Sequence, residues 1–224
     1  MRLPHLILAA VWLALAPVLP AAAQPAPPAP SVMRPVGVTL HVHQEIADQR
    51  FMPLLLRRLE ATLAAPLTLE VARFDIPPFR GPTRQVEAPV LMESLVRGID
   101  WNAEAGRVHV LLIASDMRAQ PANFNFALSA GNAATPFHLS IVSLARLQVV
   151  VGTGTVDRDP SRTAERVFKM VVKNVARVAG YGGSGLCLLG FPRSLAELDA
   201  LPQSFCEPDL SALTAAGILR APAR

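Results

Sequence analysis

The chain has 224 residues, 51% of them hydrophobic and 17% charged, enough for one sizeable core, which excludes a disordered chain and a short disulfide-stapled peptide. The formal charge of +4 is small, and arginine supplies every basic residue except Lys169 and Lys173. No basic cluster is long enough to track a nucleic-acid backbone, so nucleic acid is not an expected partner.

At the N-terminus, Arg2 precedes an unbroken apolar run from Leu6 to Ala16, and Ala21, Ala22 and Ala23 follow. The run is shorter than the roughly 20 residues that span a bilayer, and the small residues after it suit a signal peptidase. The pattern predicts a signal peptide over residues 1–23, cleaved before Gln24, and an exported protein, periplasmic or secreted, with no membrane span after cleavage. Residues 24–33 form a Pro/Ala-rich leader, with Pro25, Pro27, Pro28 and Pro30 favouring an extended, solvated chain. The folded domain is expected over residues 34–224, with 184–224 as a C-terminal subdomain.

Val36, Val38, Leu40 and Val42 alternate with Gly37, Thr39, His41 and His43, the period of a strand with one apolar face. Pro53 to Ala64 reads as a helix with proline in its first turn, and Leu67 to Ala72 as a second strand. A proline-rich loop from Asp75 to Ala88 leads to a helix over Pro89 to Arg97, stopped by Gly98. Arg107 to Ala114 has the continuous apolar character of a buried strand. Two further β segments, Phe124 to Ser129 and Phe137 to Val142, precede a long helix from about Ser161 to Ala179. Asp159 suits its N-cap, Pro160 its first position and Gly180 its left-handed C-terminal residue. Ser194 and Glu197 are spaced as a capping box, and Pro208 to Ala216 reads as a last short helix. This alternation predicts an α/β fold: a twisted, mostly parallel sheet covered by helices, with an antiparallel strand where two β segments meet without a helix between them.

Three blocks resemble the archaemetzincins, zinc peptidases of the metzincin group. They are Val110 to Met117 (VLLIASDM), then Phe124 to Gly131 (FNFALSAG) with Ile141 to Leu147 (IVSLARL), and Arg166 to Cys206, which begins RVFKMVVKNVARVAGYGG. The resemblance covers roughly residues 107–210 and implies a single zincin-like domain with a long motif helix and a small irregular C-terminal part. The zinc motif of such enzymes is H-E-x-x-H-x-x-G-x-x-H, in which histidines at i and i+4 share a helix face and a third closes the site after a glycine turn. With Gly180 on the motif glycine, Lys173, Asn174, Arg177 and Gly183 fall where the first histidine, the glutamate, the second histidine and the third histidine would stand. Ammonium and guanidinium groups have no lone pair to donate, and glycine has no side chain. At about 4 Å and an effective dielectric of ~20, a dication and one such cation repel by roughly 8 kcal/mol. Asn174 cannot act as a base toward water at neutral pH. No zinc, no other cofactor and no catalytic residue are therefore expected at these positions.

The resemblance also implies a second, cysteine-ligated zinc, with Ser184 where its first cysteine would stand and Asp209 where its last would. Only Cys187 and Cys206 remain, and in an exported protein a disulfide between them is the expected substitute. Leu189 stands at the place of the Met-turn methionine. Arg162, Arg166, Lys169, Lys173 and Arg177 recur at helical spacing, which reads either as a solvated basic stripe that complements the helix dipole or as an anion or carboxylate pocket. His41 and His43 share a strand face and would be the metal ligands of an alternative site if a third residue converged on them. His109 and His138 read as satisfied sheet histidines. No G-x-S-x-G elbow is present.

Phe124, Asn125, Phe126, Ala127, Leu128 and Ser129 lie where the resemblance implies a substrate-binding edge strand, and holding a peptide by main-chain hydrogen bonds requires no metal. Such an edge can equally be blunted by the domain's own loop. The expected function is that of an exported, catalytically inactive pseudopeptidase whose cleft binds a peptide or protein partner. The alternatives are a divergent zinc metallopeptidase with a relocated metal site at His41 and His43, or a structural scaffold.

Overall fold

The computed structural model describes residues 32–72, 84–149 and 157–221. The expected signal peptide, most of the leader and the greater part of the proline-rich loop lie outside the described residues. In chain order the elements are β1 (Gly37–His43), α1 (Gln44–Ala47), α2 (Met52–Thr62), β2 (Leu67–Ala72), β3 (Val86–Glu87), α3 (Ala88–Gly98), β4 (Arg107–Ile113), β5 (Met117–Arg118), β6 (Ala127–Ala130), β7 (Leu139–Ser143), α4 (Pro160–Val178), α5 (Leu195–Ala200) and α6 (Glu207–Ala215).

The main sheet has the order β2-β1-β4-β7-β6, parallel throughout except for the antiparallel β6–β7 pair at one edge. That is the mixed α/β architecture the alternation of segments predicts. β1 lies inside the sheet between β2 and β4, and its Val38, Leu40 and Val42 have no exposed surface. They face a core shared with Leu55 and Leu59 of α2 and Val167, Val171 and Val175 of α4. The opposite face carries a second core, in which Leu91 and Met92 of α3 pack with Leu111, Ile113 and Ile141. Residues after Ser184 join the first core through Leu188, Leu198, Leu213 and Ile218, and Ile218 O accepts from Ala64 N. At the other end Val32 and Met33 already pack on this core, and Met33 N–H donates to Ala179 O.

Helix α4 starts and stops as its sequence dictates. Asp159 caps it by accepting from Arg162 N at 3.0 Å, and Pro160 takes the first turn. Gly180 adopts φ +94°, and Tyr181 N–H then reaches back to Ala176 O at 2.9 Å, closing the last turn. Ser194 caps α5 by accepting from Glu197 N, while Glu197 accepts from Arg193 N.

Two expectations need correction. The β segment expected over Phe124–Ser129 is a strand only from Ala127 to Ala130. Phe124 and Asn125 turn away because Asn125 is held elsewhere: its N–H donates to Met117 O and its Oδ1 accepts from Ala119 N. Met117 belongs to β5, a two-residue strand that pairs with β3 and that no sequence period announces. The five cations at helical spacing do not form a solvated stripe either. Arg166 is 5% exposed and Lys169 1%. The Arg166 guanidinium forks onto both carboxylate oxygens of Asp199 and donates to Leu147 O, while Lys169 pairs with Glu165 and donates to Leu198 O and Leu201 O. They tie the C-terminal segment to α4.

Candidate functional site: a groove without metal ligands

The groove lies between the β6 edge and α4. Its floor is Met170, Lys173, Asn174 and Arg177, one wall runs from Ala122 to Ser129, and the other is Phe191, Pro192 and Arg193. Its volume is about 450 Å³. A second depression of about 420 Å³, bounded by Gly131, Gly180, Tyr181 and Leu189, shares Lys173 and Arg177 with it. The structure thus gathers Lys173, Asn174, Arg177 and the Phe124–Ser129 segment around one concavity. Phe191 and Arg193 belong to it too, although nothing in their spacing singles them out; a large apolar residue between Gly190 and Pro192, 72% exposed, is the only local sign.

Register decides what β6 offers. Ser143 N–H donates to Phe126 O, so Phe126, Leu128 and Ala130 are the residues that exchange main-chain bonds with β7. The N–H and C=O groups of Ala127 and Ser129 then fall on the open edge, facing the groove. Phe124 is not part of that ladder: its ring packs against Phe126, with centroids 5.2 Å apart, beneath the Arg146 guanidinium. Arg146 is itself fixed by a forked pair to Asp116. These bonds hold the Asp116 carboxyl below its ordinary range against the opposing effect of burial.

Asn174, Lys173 and Gly183 make structural contacts, and Arg177 does not. Asn174 is 5% exposed; its Oδ1 accepts from Ser129 Oγ and its Nδ2 donates to Met170 O at 2.6 Å, so the amide staples α4 to β6. Lys173 Nζ donates to Gly190 O at 2.6 Å and lies 4.2 Å from the centre of the Phe191 ring. Burial, reinforced by the neighbouring Arg177, pulls the Lys173 ammonium down to about 8. Arg177 is exposed. Gly183 has φ +73°, and a Cβ there would lie 3.1 Å from Leu189 Cδ1. The buried Leu189 would therefore crowd a side chain at this position. The zinc implied by the resemblance does not fit these residues: the protonated Lys173 and Arg177 have no lone pair to donate, Gly183 has no side chain, and a Cβ at 183 would press on Leu189.

Where the resemblance implies a second zinc, the structure has other chemistry. Cys187 and Cys206 form a disulfide. Beside it the buried Asp209 accepts from Ser184 Oγ at 2.6 Å, from Ser184 N at 2.9 Å and from Tyr181 O–H at 2.8 Å. Burial and this carboxylate raise the Tyr181 phenol. Ser184 and Asp209 are thus joined by hydrogen bonds.

His41 finds a companion other than His43. Its Nε2 and His109 Nδ1 of the adjacent strand are 2.9 Å apart, and its Nδ1 is 3.2 Å from Glu70 Oε2. His109 is packed edge-on by Trp101, with Nε2 3.6 Å from Glu104 Oε2. His138 Nδ1 donates to Val178 O at 3.1 Å. Among the described residues no group of three or more His, Cys, Asp or Glu side chains is arranged to hold a metal ion.

No protein-family model matches the chain, and no curated protein is recognisably similar to it. Solved structures are. The archaemetzincin of Methanopyrus kandleri is 21% identical with a TM-score of 0.59, the match covering 80% of this chain and 94% of that one. The zinc-dependent peptidase of Methanocorpusculum labreanum is 20% identical with a TM-score of 0.58, covering 77% and 97%. The archaemetzincin of Archaeoglobus fulgidus, solved with malonate, is 18% identical with a TM-score of 0.59, covering 78% and 98%. The fold is archaemetzincin-like.

Proposed function

We propose that this protein is an exported, catalytically inactive member of the archaemetzincin-like fold that binds an extended peptide or protein segment in the groove between β6 and α4. The observation that carries this reading is a groove with an open edge strand in which Asn174 and Gly183 serve the packing of the fold. Asn174 is bonded to β6 and Leu189 fills the space beside Gly183. A peptide laid along β6 would meet the main-chain groups of Ala127 and Ser129, which need no metal to form hydrogen bonds.

Export is supported by the signal pattern of residues 1–23 and by the Cys187–Cys206 disulfide, which suits an oxidising compartment. No helix of the described residues is long and apolar enough to cross a membrane. The relocated metal site is disfavoured because His41 is engaged with His109 and Glu70.

Purified mature protein should contain less than stoichiometric zinc and leave peptide libraries uncleaved, while a peptide array yields hits. Ala127→Pro should weaken those hits about tenfold or more, since it removes one outward N–H donor. Stoichiometric zinc and cleavage, both lost on mutating His41 and His43, would overturn the reading in favour of a peptidase; a silent array would favour a scaffold. Sequencing the N-terminus of exported protein should return Gln24.

A further inference from the structure

The cations of α4 fall into two sets. Arg162 is 3.7 Å from Asp159, Arg166 is paired with Asp199 and Lys169 with Glu165. Lys173 and Arg177 have no carboxylate partner among the described residues. Both line the groove together with Arg193, and the lining contains no aspartate or glutamate. Lys173 is half-buried, and its bond to Gly190 O uses one of three N–H donors. Holding an ammonium in a partly desolvated wall beside a guanidinium is unfavourable unless an anion completes the site. The same desolvation strengthens the attraction for an anion that arrives.

Resting on the peptide-binding reading above, we infer that the groove selects peptides that carry a carboxylate, taken up by Lys173 and Arg177 where a metalloenzyme would hold its cation. The substitution of histidines by a lysine and an arginine thus inverts the polarity of the site: a centre that presents lone pairs to a cation becomes one that presents N–H donors to an anion. The carboxylate can come from an aspartate or glutamate side chain of a bound segment or from its C-terminus. Main-chain pairing with β6 would set the strand direction, and the carboxylate its register.

The test is an array of random decapeptides, each made with a free and with an amidated C-terminus, probed with labelled mature protein. Hits that share an acidic residue in both forms identify the side-chain source, and hits confined to the free-carboxylate form identify the terminal one; either result supports the inference. The double variant Lys173→Gln/Arg177→Gln should weaken these hits about tenfold or more, and Lys173→Arg should keep them. Arg177→Glu, at an exposed position, should move the preference toward basic peptides while the melting temperature stays unchanged. Hits without acidic preference that bind the double variant as well as the parent overturn this inference and leave peptide binding standing. An array without hits overturns the peptide-binding reading, and this inference with it.

Discussion

His109 shows how one buried side chain sets a pH dependence. Burial, with His41, Arg107 and His138 nearby, pulls its imidazole from 6.5 down to about 4. Between those values the unfolded chain binds a proton that the folded chain refuses, so this contribution to stability is complete above about pH 6.5 and is lost as pH falls toward 4. The loss should be on the order of 3 kcal/mol. Urea unfolding at pH 7 and pH 4.5 would measure it, and His109→Gln should show a smaller difference between the two. At Gly183 the left-handed backbone and the contact with Leu189 make even a methyl group unwelcome. Gly183→Ala should lower the unfolding free energy by about 1–2 kcal/mol, whereas Gly182→Ala, where a Cβ meets nothing within 4 Å, should change it by less than about 1.

At the scale of elements, α4 and β6 carry both the site and the bonds that hold it together. Asp199→Ala would strip the forked partner from a guanidinium that is 5% exposed and leave it only Leu147 O, so a loss of about 3 kcal/mol is expected in thermal or urea unfolding. Removing the α4 cap with Asp159→Ala should cost about 1 kcal/mol by the same measurement. On β6 the register separates two prolines that look equivalent in sequence. Ala127→Pro removes an N–H on the open edge, while Leu128→Pro removes one that bonds to β7. The first should spare stability and reduce peptide binding; the second should destabilise the sheet edge itself.

For the molecule as a whole, the Cys187–Cys206 link closes a loop of 19 residues across the region where the resemblance implies a second zinc. On the chain-entropy model its reduction should lower stability by about 3 kcal/mol, read as a shift in urea midpoint with and without reductant. Asp209, Ser184 and Tyr181 would continue to hold the same segment, so the reduced protein should still fold.

Much of this was legible along the chain, because it depends on neighbours in sequence or on the chemistry of a single side chain. The alternation of β1, the apolar period of α4 with Asp159 and Gly180 at its ends, and the mixed sheet all follow from local patterning. The unfitness of Arg177 and Gly183 as zinc ligands follows from their atoms in any fold, and that of Lys173 from its protonated ammonium. What tertiary structure alone decided was the company each residue keeps. Helical spacing placed five cations on related turns, yet only the packing of residues 184–221 against α4 buried Arg166 and Lys169 and left Lys173 and Arg177 without an acid among the described residues. Strand period put His41 and His43 on one face, but the parallel register with β4 gave His41 to His109. β-favouring residues ran from Phe124 to Ser129, but the bonds Asn125 makes with Met117 and Ala119 drew Phe124 and Asn125 out of the ladder with β7. The reason is common to all three cases: a side chain's period along its own element says which way it points, while the element opposite, distant in sequence, determines what it meets.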